Sequence, residues 1–199
     1  MVKDTGRYTV ITGASSGIGY ETAKVFAERG SHLIIAARRK GRLENLKQEI
    51  SVLYPSIDVV IKTTDLSISN NAFRFYEDVK TYPLKTWINN AGFGNYDSVS
   101  HQDLKKIQQM LHLNVEALTI LSSLFVRDFK DTEGTQLINI SSCGGYTIVP
   151  NAVNLLCGEI LCQHFYRGAG VGVKAVRGKD ESKGISPGRD KNGVWKSSE

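Results

Sequence analysis

The feature that most constrains the fold is the alternation of two hydrophobic periods along residues 7–142. Short runs rich in β-branched residues predict buried parallel strands, and the segments between them place apolar residues at helical spacing. A strict alternation of strand and helix implies an α/β fold, a doubly wound parallel sheet with helices on both faces. The predicted strands are residues 8–12, 33–37, 58–62, 86–89 and 137–140, and the predicted helices are residues 18–29, 42–53, 69–81, 102–111 and 113–129.

The alternation stops after Val153. Residues 154–166 allow one more short helix, whereas residues 168–199 hold seven glycines and many charges with almost no periodic hydrophobicity. Such a composition buries too little apolar surface to offset the entropy of the chain. We therefore expect a folded domain at residues 1–153 and an aberrant tail at residues 154–199, disordered beyond about residue 166.

Composition excludes several classes of protein. The length of 199 residues and the hydrophobic fraction of 41% fit one soluble domain. The sequence has no apolar run that approaches the roughly 20 residues of a membrane span and no apolar signal segment at its start, which predicts a cytoplasmic protein without membrane association. The three cysteines and four histidines lack metal-ligand spacing, so no metal is expected. Much of the net charge of +5 comes from basic residues scattered through the tail, which argues against nucleic-acid binding.

A glycine-rich segment follows the first predicted strand and opens the first predicted helix. Glycines at these places let the backbone turn sharply and approach a pyrophosphate, and the helix N-terminus supplies free N–H groups for the phosphate oxygens. The order of strand, loop and helix makes a merely flexible turn the weaker interpretation. The segment reads Thr12-Gly13-Ala14-Ser15-Ser16-Gly17-Ile18-Gly19.

The glycine spacing, together with four further motifs, resembles the short-chain dehydrogenase/reductase family over residues 7 to about 153. The motifs are Asp65-Leu66, Asn89-Asn90-Ala91-Gly92, Asn114, and Asn139-Ile140-Ser141-Ser142. The resemblance implies that Asp65 and Leu66 flank the adenine, and that residues 89–92 line the cofactor and stabilise the central sheet. With the loop, the expected cofactor-binding residues are Gly13, Ser15, Ser16, Gly17, Ile18, Gly19, Asp65, Leu66, Asn89, Asn90, Ala91 and Gly92.

Two arginines, Arg38 and Arg39, follow the second predicted strand, where an NAD enzyme places a carboxylate for the ribose 2′-hydroxyl. A guanidinium there can meet a 2′-phosphate with forked, charge-assisted hydrogen bonds. The sequence therefore favours NADP over NAD. The alternative is a solvated basic helix start, because Lys40 and Arg42 follow directly.

The catalytic end of the resembled family is only half present. The resemblance implies a serine that polarises the substrate carbonyl, an asparagine that holds a proton-relay water, and a Tyr-x-x-x-Lys pair. Ser142 and Asn114 match the first two, but Leu155 and Glu159 occupy the places of the tyrosine and the lysine. Leucine transfers no proton, and a carboxylate raises the pKa of a neighbouring phenol instead of lowering it.

A change of reading frame explains this loss. If one extra base lies at the boundary of Asn154 and Leu155, residues 155–170 can encode Tyr-Cys-Ala-Ala-Lys followed by a helix typical of the family. In the same frame, residues 186–196 can read Ala-Pro-Ala-Ala-Thr-Lys-Thr-Glu-Phe-Gly-Lys, which resembles a later family loop. The Gly of that loop is forced by the single codon of Trp195. A naturally divergent tail is the alternative.

The resemblance implies an NADP-dependent oxidoreductase that transfers hydride between the cofactor and a small alcohol or carbonyl, with this chain inactive. A catalytically dead nucleotide-binding module and a non-functional pseudogene product are the alternatives. The strand at residues 137–140 is expected to become a sheet edge. The family dimer contact, built from residues 113–129 and a lost helix, is expected to be incomplete. The sequence does not identify the substrate.

Overall fold

The computed structural model of the protein describes residues 6–95, 99–141 and 174–177. Each predicted strand and helix within these ranges is present, with bounds shifted by a few residues. The strands are β1 (Tyr8–Thr12), β2 (His32–Ala37), β3 (Val59–Thr63), β4 (Leu84–Asn89), β5 (Gln136–Ser141) and β6 (Lys174–Arg177). The helices are α1 (Gly17–Glu28), α2 (Lys40–Leu53), α3 (Asn71–Val79), α4 (Leu104–Leu111) and α5 (Leu118–Phe129), with a short 3₁₀ turn at Val99–His101.

The described strands form one parallel sheet in the order β3-β2-β1-β4-β5-β6. The chain moves outward from β1 through β2 and β3, then returns to the other side of β1 for the remaining strands. The carboxyl ends of β1 and β4 therefore border the point where the strand order reverses, and parallel α/β sheets bind ligands at such a point. The predicted doubly wound parallel sheet is confirmed.

Alternate residues along the strands supply two hydrophobic cores, one on each face of the sheet. Val10, Ile34 and Trp87 face α3 and α5, whereas their neighbours Ile11 and Ile88 face α1 and α2. Helices thus cover both faces, and this is why the strands read as continuous apolar runs. The helical members of the two cores include Phe75, Tyr76, Val79, Leu121 and Phe125 on one face and Ala23, Ala27, Leu43, Leu46 and Ile50 on the other.

Helices α4 and α5 are continuous through a π-helical turn at His112–Ala117, where the sequence predicted two helices that break at residue 112. The 26-residue helix is, by length and composition, apolar enough to span a membrane. Its buried residues, which include Leu113, Leu121 and Phe125, pack in the core beside Trp87. These residues place one side of the helix in the core, and the absence of membrane association stays a prediction.

Strand β6 differs from the sequence prediction. Residues 174–177 pair in parallel with β5, with Ile138 opposite Lys174 and Ser141 opposite Arg177. The expectation that β5 forms the sheet edge is therefore wrong, and the expectation of disorder beyond about residue 166 is wrong for residues 174–177. The physical reason is that the free edge of β5 offers N–H and C=O groups to any extended segment. The predicted helix at residues 154–166 lies outside the described residues.

Candidate functional site

The loop between β1 and α1 has no room for a side chain at Gly13 or Gly19, whereas Gly17 is open to its surroundings and is constrained by its backbone angle. Gly13 and Gly17 have φ angles of +70° and +59°, in the left-handed region that favours glycine. A Cβ on Gly13 would lie 2.7 Å from the Cα of Ala91. A Cβ on Gly19 would overlap the side-chain amide of Asn90 and lie 2.6 Å from the carbonyl oxygen of Gly13. The loop therefore packs directly on the segment that follows β4.

The serines of this loop meet Arg39. The Nη2 atom of Arg39 donates hydrogen bonds to the hydroxyl oxygens of Ser15 and Ser16, each at 2.8 Å. Ser16 is the N-cap of α1 but makes no side-chain capping bond to that helix, and Ile18 in the first turn is 55% exposed. A guanidinium, two hydroxyls and a helix N-terminus thus converge, an arrangement that favours an anion.

Arg38 points to a different neighbour. Its Nη1 atom lies 4.0 Å from a carboxylate oxygen of Asp65, and its side chain is 59% exposed. Asp65 follows β3 and is held in its turn, because one carboxylate oxygen accepts bonds from the N–H and hydroxyl of Ser67 at 3.0 and 2.6 Å. The adjacent Leu66 is buried in the core. The two adjacent arginines therefore contact different segments, Arg39 the serines of the glycine loop and Arg38 the carboxylate of Asp65.

Thr12 and Asn90 join the ends of β1 and β4. The Thr12 hydroxyl accepts hydrogen bonds from the backbone N–H groups of Asn90 and Ala91, both at 3.0 Å. In return, the Asn90 side-chain amide donates to the carbonyl oxygens of Thr12 and Gly13 at 2.9 and 3.3 Å. The sequence analysis assigned Thr12 no role, although a hydroxyl residue directly before the first glycine could have indicated a hydrogen bond that holds the loop. This reciprocal contact fixes the glycine loop against the sheet.

Asn89 supports the site from the interior. Its side chain is 4% exposed, accepts a bond from the Trp87 indole N–H at 2.8 Å, and donates to the Asn139 and Ser122 side chains at 2.8 and 3.0 Å. These four residues join β4, β5 and α5. Asn89 was expected to line the cofactor and to stabilise the central sheet, and its side chain does the second.

Asn114 lies in the π-helical turn and binds the segment after β4. Its Oδ1 atom accepts a hydrogen bond from the Phe93 N–H at 3.2 Å, and its Nδ2 atom donates to the Phe93 carbonyl oxygen at 2.9 Å. A Cβ on Gly92 would lie 3.3 Å from Asn114 Oδ1, which explains the small residue there. Asn114 is thus at the site but uses its side chain to hold backbone.

The remaining catalytic predictions fall outside the described residues. These are Ser142, which directly follows the end of β5, and the two replacements Leu155 and Glu159. Within the described ranges, no three His, Cys, Asp or Glu side chains gather as they would around a metal ion.

A doubly wound sheet with a glycine-rich loop at its switch point and a basic side chain after β2 defines a Rossmann-type nucleotide-binding protein. The sequence profile of the short chain dehydrogenases matches residues 7–154, well over half of the chain. The chain belongs to the short-chain dehydrogenase family.

Two curated relatives illustrate the match. An uncharacterized oxidoreductase of Staphylococcus saprophyticus is 29% identical over 159 residues, covering 79% of this chain and 62% of the relative. Dehydrogenase/reductase SDR family member 11 of Gallus gallus is 28% identical over 181 residues, covering 88% of this chain and 67% of the relative. The chain thus spans only about two thirds of the length of these proteins, and less than that of the first.

Two solved structures are similar in fold. A bulky-bulky ketone specific alcohol dehydrogenase from Comamonas testosteroni has a TM-score of 0.79 at 26% identity, covering 86% of this chain and 72% of that protein. A short-chain dehydrogenase from Sphingobium yanoikuyae in complex with NADPH has a TM-score of 0.77 at 27% identity, covering 86% and 70%.

Proposed function

We propose that this chain derives from an NADP-dependent oxidoreductase that transfers hydride between the cofactor and a small alcohol or carbonyl compound. The observation that carries the proposal is the position of Arg39, 2.8 Å from two loop hydroxyls at the N-terminus of α1. That donor set suits a phosphate monoester such as the 2′-phosphate of NADP. The NADPH complex of the Sphingobium relative supports the same choice of cofactor.

The chain's own residues divide the work of binding. The backbone N–H groups of residues 13–19 would donate to the pyrophosphate, because this loop leads into the N-terminus of α1. Arg39, Ser15 and Ser16 would hold the 2′-phosphate, and Asp65 and Leu66 would flank the adenine. NADP, when bound, supplies the hydride chemistry. Asn114 and Ser142 are the retained catalytic positions.

The proton donor is the missing part. Leu155 and Glu159 stand where the family pattern has tyrosine and lysine. We attribute the change to one extra base near codon 155, so the 199-residue chain binds cofactor without turning it over. Reading the DNA across codons 153–156 tests this directly, because family sequence that resumes in another frame identifies the extra base.

The second candidate is a catalytically dead module that binds NADP as a sensor or a partner, and a product without function is the third. The loss of both members of the catalytic pair favours these over a working enzyme. A module kept for sensing keeps one reading frame throughout its gene. A cytoplasmic location, a small-molecule substrate and an incomplete family dimer interface belong to the same proposal.

Titration of NADP and NAD against the purified chain tests the cofactor proposal. The Arg38→Ala, Arg39→Ala double variant should bind NADP at least about tenfold more weakly, because each charged hydrogen bond contributes roughly 1.5 to 3 kcal/mol. NAD affinity should change less. The single variants should differ, with the larger loss at Arg39, since only Arg39 contacts the loop serines.

Lys40→Ala is the matched control. It removes a cation from the same basic run, but this lysine pairs with Glu44 at 3.6 Å and is 70% exposed. Its NADP affinity should equal that of the parent chain. Unchanged NADP affinity in the double arginine variant would mean that the arginines are only a solvated helix start.

A further inference from the structure

Glu116 lies in the same π-helical turn as Asn114, and both of its carboxylate oxygens form hydrogen bonds. Its Oε2 atom bonds the Nδ1 atom of His112, four residues earlier, and its Oε1 atom accepts from the hydroxyl of Ser69 at 3.1 Å. The hydrogen bond from His112, followed by that from Ser69, holds the pKa of Glu116 below its ordinary value of 4.5. The carboxylate is therefore ionised and doubly engaged at neutral pH.

The Ser69 contact reaches a second cofactor-lining segment. Ser69 lies in the connection between β3 and α3, which also contains Asp65 and Leu66. Leu66 is buried in the same core cluster as Leu113 and Ala117 of the π-helical turn. The connection after β3 therefore meets the π-helical turn in two ways. Ser69 bonds Glu116, and Leu66 shares an apolar cluster with Leu113 and Ala117.

The other side of the same turn holds the segment after β4. Asn114 bonds both the N–H and the carbonyl of Phe93. Because π-helical turns are rare, this one needs local contacts that favour it over uninterrupted α-helix. The His112–Glu116 pair spans five of its six residues, and the Ser69 hydroxyl holds the same carboxylate from outside the helix.

We infer that Glu116 is a positioning residue of the cofactor site, which ties the Asp65–Ser69 turn to the π-helical turn and thereby sets where Asn114 holds Phe93. The inference rests on the proposed NADP binding only for its affinity readout. The side chains of His112 and Glu116 are 31% and 37% exposed, so their pair adds little to global stability. Its effect is therefore expected in local geometry.

A double-mutant cycle on Ser69→Ala and Glu116→Ala tests the inference in the full 199-residue chain. Each single change should weaken NADP binding by about threefold to tenfold, and the double change should weaken it by no more than either single change, as coupled groups do. Glu116→Gln, which keeps an acceptor for Ser69, should restore most of the affinity. Glu44→Ala, which removes a glutamate from a surface helix pair, is the control and should bind as the parent does.

Hydrogen exchange at the Phe93 amide gives a second readout that needs no cofactor. It should quicken in Glu116→Ala and Ser69→Ala but not in Glu44→Ala, while thermal midpoints stay close together. The inference would be overturned if the Phe93 amide exchanged at the parent's rate in both variants. It would also be overturned if the losses of NADP affinity in the double-mutant cycle were strictly additive. A parent chain that binds no NADP would refute the proposed function, and the exchange experiment would still decide the role of Glu116.

Discussion

Gly19 and Gly41 both lie near the start of a helix, yet their surroundings differ. A Cβ at Gly19 would collide with Asn90 and the Gly13 carbonyl, and both groups are held by hydrogen bonds at the end of β1. A Cβ at Gly41 would meet nothing within 4 Å. We predict that Gly19→Ala destabilises the fold by about 1 to 3 kcal/mol through overpacking and abolishes NADP binding.

The matched change Gly41→Ala should stabilise the fold by about 0.4 to 1 kcal/mol, because alanine restricts the unfolded chain and suits a helix. Urea unfolding of both variants, with NADP titration, measures these effects. Equal stabilities for the two variants would contradict the contacts described for the glycine loop.

Arg38 and Arg39 show what sequence reasoning misses at this scale. The sequence presents two adjacent basic residues with equal claim to a 2′-phosphate. The direction of each side chain depends on groups far away in sequence: Ser15 and Ser16 for one, Asp65 for the other. The sequence proposes the pair as a site but does not show that its two members contact different partners.

At the scale of elements, a buried polar network fixes β5 beside β4. Asn89 and Asn139 are opposite each other in the strand register, and Ser122 of α5 completes the network. We predict that Asn139→Ala costs about 2 kcal/mol or more, because it leaves the buried Asn89 amide without one of its acceptors. Equilibrium unfolding in urea is the measurement.

Asn45→Ala is the control for this prediction. Asn45 is exposed on α2, so the same substitution there should change stability by no more than about 0.5 kcal/mol. A cost for Asn139→Ala as small as that of the control would show that water replaces the lost bonds. The network would then contribute nothing to the pairing of β4 with β5.

The elements also differ in how well they can be predicted from the sequence. Strands β1 to β5 and the helices between them were predictable, because each buries several residues at a regular period. The π-helical turn was not, since its apolar period continues through residues 112–117 and only the contacts of Asn114 and Glu116 mark it. Strand β6 was missed because a segment of four residues is too short to show a hydrophobic period.

At the scale of the whole molecule, we predict that the 199-residue chain shows no hydride-transfer turnover even where it binds NADP. General acid-base assistance alone contributes about 10² to 10⁴ in rate, and in our proposal Leu155 stands at the position of its donor. Deleting the proposed extra base after codon 154 should give a chain with Tyr-x-x-x-Lys that acts on some small carbonyl. NADPH oxidation across a panel of carbonyl compounds compares the two forms.

The control is the restored form with its new tyrosine changed to phenylalanine, which should lose turnover while it keeps NADP affinity. Comparable turnover by the 199-residue chain and the restored form would show that the missing pair does not carry the catalysis. It would also remove the main support for the proposed change of reading frame.

The sequence by itself determined the class of fold and the family, and it carries the proposals of a nucleotide-binding loop and of a lost catalytic pair. These are properties of local order and spacing: a strand, a glycine loop and a helix must follow one another along the chain. Only the tertiary structure decided which arginine meets the loop, that Asn89 serves the interior, and that Glu116 joins two segments of the site. Those facts depend on residues 23 to 50 positions apart that the fold brings together, and no local pattern encodes such distances.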